Sequence, residues 1–302
     1  MRIRRLLLGT VAVLLVPVLC GGGLLMYLAE RNTQSVGAAV GDTTEPNRID
    51  LYVTAQQVNA PQQQLQLSVE LTARGNLAED GGLLAKPLSL YTSSPTRAEI
   101  DFPAGRALSA QNFPVSLYGG TVSDYPFDGY NADVSFAAFL DGKPVPVSMT
   151  FVEIDPFFRI GAVDGGDQGS AVDLTVHVSR AQGTKFLAVL MMIVMWGLAL
   201  CVLAGAWILV SRRRGLVWPA LGWMAATLFA LAGMRNTAPG NPPIGCVLDY
   251  AAFFWAESLT AVGVAAVVVF GALTERRKEP IVWQRPEAPD APGAPAPEAP
   301  GA

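Results

Sequence analysis

A single carboxylate, Glu257, lies inside an otherwise uncharged apolar run, and its position makes it a candidate for chemistry. An acid within a membrane helix is costly to ionise, so it must be paired, protonated or turned toward the helix bundle. Asp249 lies eight residues earlier, which corresponds to ~12 Å along a helix. Two roles fit this spacing: a proton or substrate site, or a polar clamp between helices and loop.

The nearest cation is Arg235, because no other basic residue falls inside the apolar runs. Its long side chain can pair with Asp249 at the membrane surface or extend toward Glu257. Prolines and glycines between residues 235 and 250 predict a rigid, non-helical outer loop. The candidate loop site therefore comprises Arg235, Asn236, Asp249, Tyr250 and Glu257.

A second candidate is the segment Tyr-Pro-Phe-Asp-Gly-Tyr at residues 125–130. Pro126 favours a turn, Asp128 can accept a hydrogen bond from the backbone ahead of it, and the aromatic side chains can pack on a β-structure. The motif residues are Tyr125, Pro126, Phe127, Asp128 and Tyr130. They form either a packed corner or a binding element of the outer domain.

The remaining composition argues against several classes of protein. There is one histidine, and the three cysteines lie far apart, so zinc and iron–sulfur sites are not expected. The net charge is −4 and no extended basic patch occurs, which argues against nucleic-acid binding. No nucleophile elbow is present, and no cofactor or metal is expected.

The candidate residues must be positioned by membrane helices. Hydrophobic residues make up 51% of the chain and charged residues only 15%, below the ~25% of soluble domains. Four runs are long enough to span a bilayer at ~1.5 Å per residue; they are residues 6–28, 186–210, 216–234 and 251–273. The first run also fits a cleaved signal peptide, although no clean cleavage site follows it.

Basic residues next to these runs predict the orientation. If the four spans alternate, one side of the membrane carries nine basic residues: Arg2, Arg4, Arg5, Arg212, Arg213, Arg214, Arg276, Arg277 and Lys278. Because basic loops stay cytoplasmic, both termini are expected inside. Residues 1–28 then form a basic N-terminus with the first helix, 29–184 lie outside, and 185–274 hold the other three helices with outer loop 235–250. The Pro- and Ala-rich tail, 275–302, is expected to be disordered in the cytoplasm.

The outer segment has the pattern of an all-β domain. Apolar residues alternate with polar ones at Ile49, Leu51 and Val53, and again from Leu65 to Leu71. Seven or eight such short strands, separated by turn residues that include 141–143 and 164–167, predict an antiparallel Ig-like β-sandwich. The segment is acidic, with 9 basic and 18 acidic residues between 30 and 184.

Three segments together carry a resemblance to a known family. The phrase at 125–130, followed by Arg-Asn-Thr-Ala-Pro-Gly-Asn-Pro-Pro-Ile-Gly at 235–245 and Phe-Phe-Trp-Ala-Glu at 253–257, resembles a family of uncharacterised membrane proteins, common in actinobacteria and known as domain of unknown function 4436. The resemblance covers about residues 40–278. It implies a location and an architecture, and no functional residue.

These features together predict a plasma-membrane protein that presents an outer binding or scaffold domain and lacks an enzymatic role. Its expected partners are membrane lipid and another membrane or envelope protein, with oligomers as a further expectation. The first alternative is a transporter or transport accessory that uses Glu257. A third class is an envelope hydrolase that uses acids of the outer domain such as Asp124, Asp128 or Asp133.

Overall fold

The structure is a computed structural model that describes residues 17, 21–26, 28–29, 37–79 and 83–278. Residues 21–26 and 28–29 are helical. Most of the first expected span, residues 80–82 and the expected disordered tail beyond 278 lie outside the described residues.

Residues 37–181 form an all-β unit, here called the β-domain. Strong alternation of apolar side chains produces its strands, and in β2 every second residue from Ile49 to Ala55 is buried. The strands are β1 (Ala38–Val40), β2 (Ile49–Asn59), β3 (Gln64–Ala73), β4 (Ala78–Glu79), β5 (Leu83–Leu84), β6 (Leu88–Thr92), β7 (Glu99–Phe102), β8 (Gln111–Ser116), β9 (Gly129–Leu140), β10 (Lys143–Val145), β11 (Val147–Glu153), β12 (Phe158–Asp167) and β13 (Ala171–Arg180).

Two main sheets share one buried core. The first has the order β1-β11-β2-β3-β8, and the second has the order β12-β13-β9-β6-β7, with β10 paired to β9. Buried side chains from both sheets, such as Leu51 and Phe113 of the first and Val134 and Val176 of the second, belong to one apolar cluster. The expectation of a mostly β unit is therefore confirmed.

The expectation of a purely antiparallel arrangement is wrong at one pair. Strand β11 runs parallel to β2, with Val147 opposite Ile49 and Glu153 opposite Ala55. Alternation of side chains reports which face of a strand is buried. It carries no information on which distant strand becomes the neighbour or in which direction that neighbour runs.

The turn predictions had mixed outcomes. Asp141 and Gly142 have positive φ and connect β9 to β10, where Lys143 lies opposite Leu140; the tight hairpin is confirmed. The predicted turn at 164–167 is wrong, because these residues extend β12 and pair with β13. The chain reverses instead at 168–170. Glycine and aspartate usually indicate a turn. They occur in β12 because this strand lies at the edge of its sheet and is mostly exposed.

Three helices follow the β-domain: α1 (Gln182–Ser211), α2 (Trp218–Asn236) and α3 (Phe254–Lys278). A π-helical turn, Asp249–Phe253, leads into α3, and helical backbone begins at Val247. The non-helical part of the outer loop is therefore 237–246, shorter than expected. By length and apolar composition alone, two described helices could cross a membrane, Gln182–Ser211 and Asp249–Arg276.

Small residues allow the helices to pack closely. A Cβ on Gly263 of α3 would lie 3.3 Å from Val202 of α1, and one on Gly205 would lie 3.5 Å from Met224 of α2. A bulkier side chain at either position would separate the helices. This packing holds α3 against α1, and the outer ends of the same helices meet the β-domain.

Candidate site at the junction of the β-domain and the helices

Tyr125 links the β-domain to the helices. It lies in the loop between β8 and β9, its peptide bond to Pro126 is cis, and its side chain is fully buried. The cluster that buries it comes from the helices and the outer loop: Ala188, Met191, Met195, Ala199, Leu231, Ala238, Cys246, Leu248, Ala252 and Ala256. The expectation that the aromatic residues of this motif pack on the sandwich is thus wrong for Tyr125.

A buried ion pair lies directly behind Tyr125. Nε of Arg180, the last residue of β13, donates to Oδ1 and Oδ2 of Asp128 at 3.0 and 3.1 Å. Both side chains are completely buried. The Tyr130 hydroxyl also donates to Asp128, at 2.9 Å, and burial together with this bond raises the pKa of Tyr130. Asp128 therefore bonds side chains, whereas the motif suggested a bond to the backbone.

Arg180 also stacks between two aromatic rings. Its Cζ lies 4.1 Å from the ring centroid of Phe158 and 4.9 Å from that of Tyr125, both within the range of a cation–π contact. Among the described residues, its Nη1 and Nη2 and the Tyr125 hydroxyl have no hydrogen-bond partner. We call Tyr125, Asp128, Phe158 and Arg180 the junction cluster.

The outer loop contacts the junction cluster through Gly240. This residue has a φ of +77°, and a Cβ at its position would overlap Nη1 of Arg180. Glycine meets both demands, since it adopts positive φ at little cost and leaves room for a close neighbour. Gly240 thus brings the loop between α2 and α3 against the last strand of the β-domain.

A second buried ion pair holds the outer loop to the helices. Nε and Nη2 of Arg235 donate to Oδ1 and Oδ2 of Asp249 at 2.9 and 2.8 Å. Nη1 and Nη2 also donate to the carbonyl oxygens of Pro242 and Pro243. The Asp249 side chain is fully buried. The planar guanidinium thus joins the end of α2, the loop and the start of the π-turn. Of the two partners that the sequence allowed for Arg235, Asp249 is the one that it binds.

Cys246 and Gly245 complete the loop around Asp249. The Gly245 amide donates to Oδ2 at 2.7 Å, and the Cys246 sulfur lies 3.7 Å from the same oxygen. Cys246 is fully buried, and burial raises the pKa of its thiol. Burial likewise raises the pKa of Tyr125, against the opposing effect of the Arg180 and Arg235 cations. The cations of both ion pairs therefore act on the Tyr125 hydroxyl.

A shallow groove opens beside this junction. It is lined by Ser123 and Asp124 from the β-domain and by Gly245, Val247, Tyr250 and Ala251 from the helical side. Tyr250 is largely exposed and meets Phe254 edge to face at 5.5 Å between ring centroids. The groove is open and mostly apolar, and the buried ion pairs do not line it.

Several sequence-predicted residues lie apart from the junction. Glu257 is partly buried and makes no hydrogen bond or ion pair with any described residue, so the clamp between loop and helices is made by Asp249 without it. Asn236 is exposed at the end of α2. Phe127 is 62% exposed although its neighbour Tyr125 is buried. The structure thus joins parts of the two motifs and leaves out these three residues.

Sequence reasoning missed Arg180, Phe158 and Gly240 as partners of the motif. Arg180 belongs to neither of the two motifs. One signal could have found it: the side chains at positions 172, 174, 176, 178 and 180 fall on the buried face of β13. An arginine on that face requires a buried partner.

Two of the acids considered for hydrolysis, Asp128 and Asp133, lie in different environments. Asp128 is buried against Arg180, whereas Asp133 faces outward, where it accepts hydrogen bonds from Tyr118 and Thr175 at 2.9 Å. Successive side chains of a strand point to opposite faces. His177 is exposed on the outer face, with Nδ1 2.9 Å from Oδ1 of Asn131.

Comparison with known families divides the chain at the same junction. Residues 39–178 match DUF4436, a domain of unknown function, and residues 180–274 match DUF8686, a second domain of unknown function. The resemblance expected over 40–278 is thus matched by two consecutive family models, the second of which begins at Arg180. No curated protein matches the chain.

Proposed function

We propose that this chain, a DUF4436 domain followed by a DUF8686 region, is a multi-pass plasma-membrane protein that holds an extracytoplasmic Ig-like β-sandwich in a fixed position as a binding or scaffold module. Four helices span the membrane, one before the sandwich and three after it, and both termini are cytoplasmic. Its partner is another membrane or envelope protein, for which it acts as an accessory subunit.

The observation that carries this proposal is the burial of Tyr125, a β-domain residue, inside the apolar cluster of the helices. A domain on a flexible tether needs no such contact. Burial of one aromatic side chain stabilises an arrangement by about 2 to 3 kcal/mol, and the stacked Arg180–Asp128 pair fixes its geometry. A rigid orientation relative to the bilayer suits a subunit that must meet a partner at a defined height and angle.

The orientation is tested by labelling intact cells with a membrane-impermeant maleimide. The three native cysteines are first replaced by alanine, and one cysteine is introduced at Ser109 or at Arg214, both exposed. We expect Ser109→Cys to react in intact cells and Arg214→Cys to react only after permeabilisation. Equal labelling of both in intact cells, or the reverse order, contradicts the proposal.

The binding role is tested by purification from the native membrane in mild detergent, followed by native mass spectrometry. Wild-type protein and Tyr125→Phe should retain a stoichiometric protein partner. Tyr125→Ala, which loosens the junction while leaving the outer surface unchanged, should lose it. Recovery of only a monomer or homo-oligomer, or an equal yield of partner from all three proteins, contradicts the scaffold role.

A further inference from the structure

We infer that Glu257 docks a membrane helix of a different protein through a basic residue carried near the middle of that helix. The inference deepens the proposed function, on which it rests, by stating the chemistry of the partner. It follows from the depth of Glu257, from its lack of a partner among the described residues, and from the distribution of cations along the sequence.

The depth of Glu257 follows from contacts between α1 and α3. Nε1 of Trp196 donates to the carbonyl oxygen of Ala251 at 3.0 Å, so these residues lie at one level. Ser211 follows Trp196 by 15 residues, or ~22 Å, and Glu257 follows Ala251 by 6 residues, or ~9 Å. Glu257 therefore lies ~13 Å from the level of Ser211, near the middle of a ~30 Å hydrocarbon layer.

A second contact also places Glu257 inside the hydrocarbon layer, but at a level nearer the β-domain. Gly263 of α3 faces Val202 and Ala206 of α1. Counting the helical rise from Gly263 back to Glu257, and from Val202 or Ala206 forward to Ser211, places Glu257 about 16 to 23 Å from the level of Ser211. A carboxylate at this depth is costly unless it is paired, yet the described residues give it no partner.

Of the cations near the outer ends of the helices, the three that the structure describes are either engaged or too far away. Arg235 is held by Asp249 and two carbonyl oxygens, and Arg180 is held by Asp128. Lys185 lies near the outer end of α1, 11 residues before Trp196, which is ~16 Å above the level of Trp196. None of the three can neutralise Glu257.

The rest of the sequence offers no cation at this depth either. The first apolar run, residues 6–28, contains no lysine, arginine or histidine, and neither do residues 186–210, 216–234 or 251–273. A second copy has the same sequence and therefore also lacks a mid-membrane cation. Charge complementarity thus favours a helix of another protein that carries lysine or arginine where this chain carries glutamate.

The test uses the full-length protein in phosphatidylcholine nanodiscs, labelled with a fluorescent donor on the β-domain. The probes are synthetic leucine–alanine spanning helices with an acceptor dye and one central residue, either Lys, Gln or Leu. We expect energy transfer to show at least about tenfold tighter association with the Lys helix than with the Leu helix. Glu257→Gln should abolish this preference, and Ser258→Ala, on the exposed side of the same turn, should keep it.

Three results would overturn the inference. The wild type could bind the Lys and Leu helices equally, or the preference for the Lys helix could survive in Glu257→Gln. The third is association between donor- and acceptor-labelled copies of the protein that depends on Glu257.

A separate experiment distinguishes failure of this inference from failure of the proposed function: membranes that contain each variant are extracted with alkaline carbonate. A protein that stays in the membrane but shows no Lys preference refutes only the inference about Glu257. Release of the wild type from the membrane refutes the proposed function as well.

Discussion

The guanidinium of Arg180 lies over the ring of Tyr125, with 4.9 Å between Cζ and the ring centroid. One residue ends the last strand, and the other belongs to a loop 55 positions earlier in the chain. Tyr125 is buried in the apolar cluster of the helices, so its contact with Arg180 connects the last strand of the β-domain to that cluster.

The hydroxyl of Tyr125 should be dispensable, whereas its ring should not. The hydroxyl is buried without a hydrogen-bond partner among the described residues, so Tyr125→Phe removes an unsatisfied polar group and should be neutral or stabilising by up to about 2 kcal/mol. Tyr125→Ala leaves a cavity and should cost about 3 to 5 kcal/mol. Thermal unfolding in detergent measures both. A Phe variant less stable than the wild type by more than 1 kcal/mol would show that the hydroxyl is bonded.

Replacement of one member of the buried ion pair should lower the free energy of unfolding more than replacement of both. Asp128→Ala leaves the Arg180 cation buried and unpaired and should destabilise by about 3 to 5 kcal/mol. The double substitution Asp128→Leu with Arg180→Met should recover most of this loss, because no uncompensated charge then remains. Chemical unfolding curves provide the comparison.

The matched control is the exposed pair of Lys86 and Asp141, 3.5 Å apart. Lys86→Ala should change the free energy of unfolding by at most about 1 kcal/mol. A double variant at the buried pair that is no more stable than Asp128→Ala would mean that specific contacts beyond the charges hold the junction.

Two glycines separate backbone strain from packing. Gly240 and Gly105 have similar positive φ values of +77° and +72°, but a Cβ at Gly105 meets open space and one at Gly240 overlaps Arg180. Gly105→Ala should therefore cost only the strain of a positive φ, about 1 to 2 kcal/mol. Gly240→Ala should lower the free energy of unfolding clearly more than Gly105→Ala does, as measured by denaturant unfolding. Equal decreases in unfolding free energy in the two variants would indicate that the loop is not in close contact with Arg180.

Arg235→Lys should open the outer loop despite keeping the charge. Lysine cannot reproduce the two bonds to Asp249 together with those to the carbonyls of Pro242 and Pro243. The readout is modification of Cys246, which is buried, by a thiol reagent after Cys20 and Cys201 are replaced by alanine. We expect the labelling rate to rise at least about tenfold, equivalent to ~1.4 kcal/mol less protection.

Asn236→Ala provides the control for this experiment, since it removes an exposed polar side chain from the adjacent position. It should leave the labelling rate of Cys246 unchanged. Fast labelling of Cys246 in the otherwise unchanged protein would contradict the buried loop. A slow rate in Arg235→Lys would show that the loop does not depend on the shape of the guanidinium.

Local patterns were informative wherever a residue's environment depends on its near neighbours. Alternation at Ile49, Leu51 and Val53 identified a strand with one buried face. The pair Asp141–Gly142 identified a two-residue hairpin, because few residues adopt the required positive φ. The long apolar runs at 186–210 and 251–273 identified two helices long and apolar enough to cross a membrane.

The same kind of reasoning failed wherever the partner was distant in sequence. The glycines and aspartates of 164–167 suggested a turn, yet they lie in β12 because β13 supplies its hydrogen-bonding partner. Arg180 was not matched with Asp128, 52 residues earlier in the chain, although both side chains are buried and form an ion pair.

The sequence by itself determined the mostly β composition of the first part of the chain, the apolar helices of the second and the acids that need a partner. Only the tertiary structure decided which acid meets which cation. Asp128 pairs with Arg180, 52 residues away, and Asp249 pairs with Arg235, while Glu257 pairs with no described residue. The physical reason is that hydrophobic periodicity is a property of neighbouring residues, whereas a buried charge is stabilised by whichever side chain the fold brings within about 3 Å.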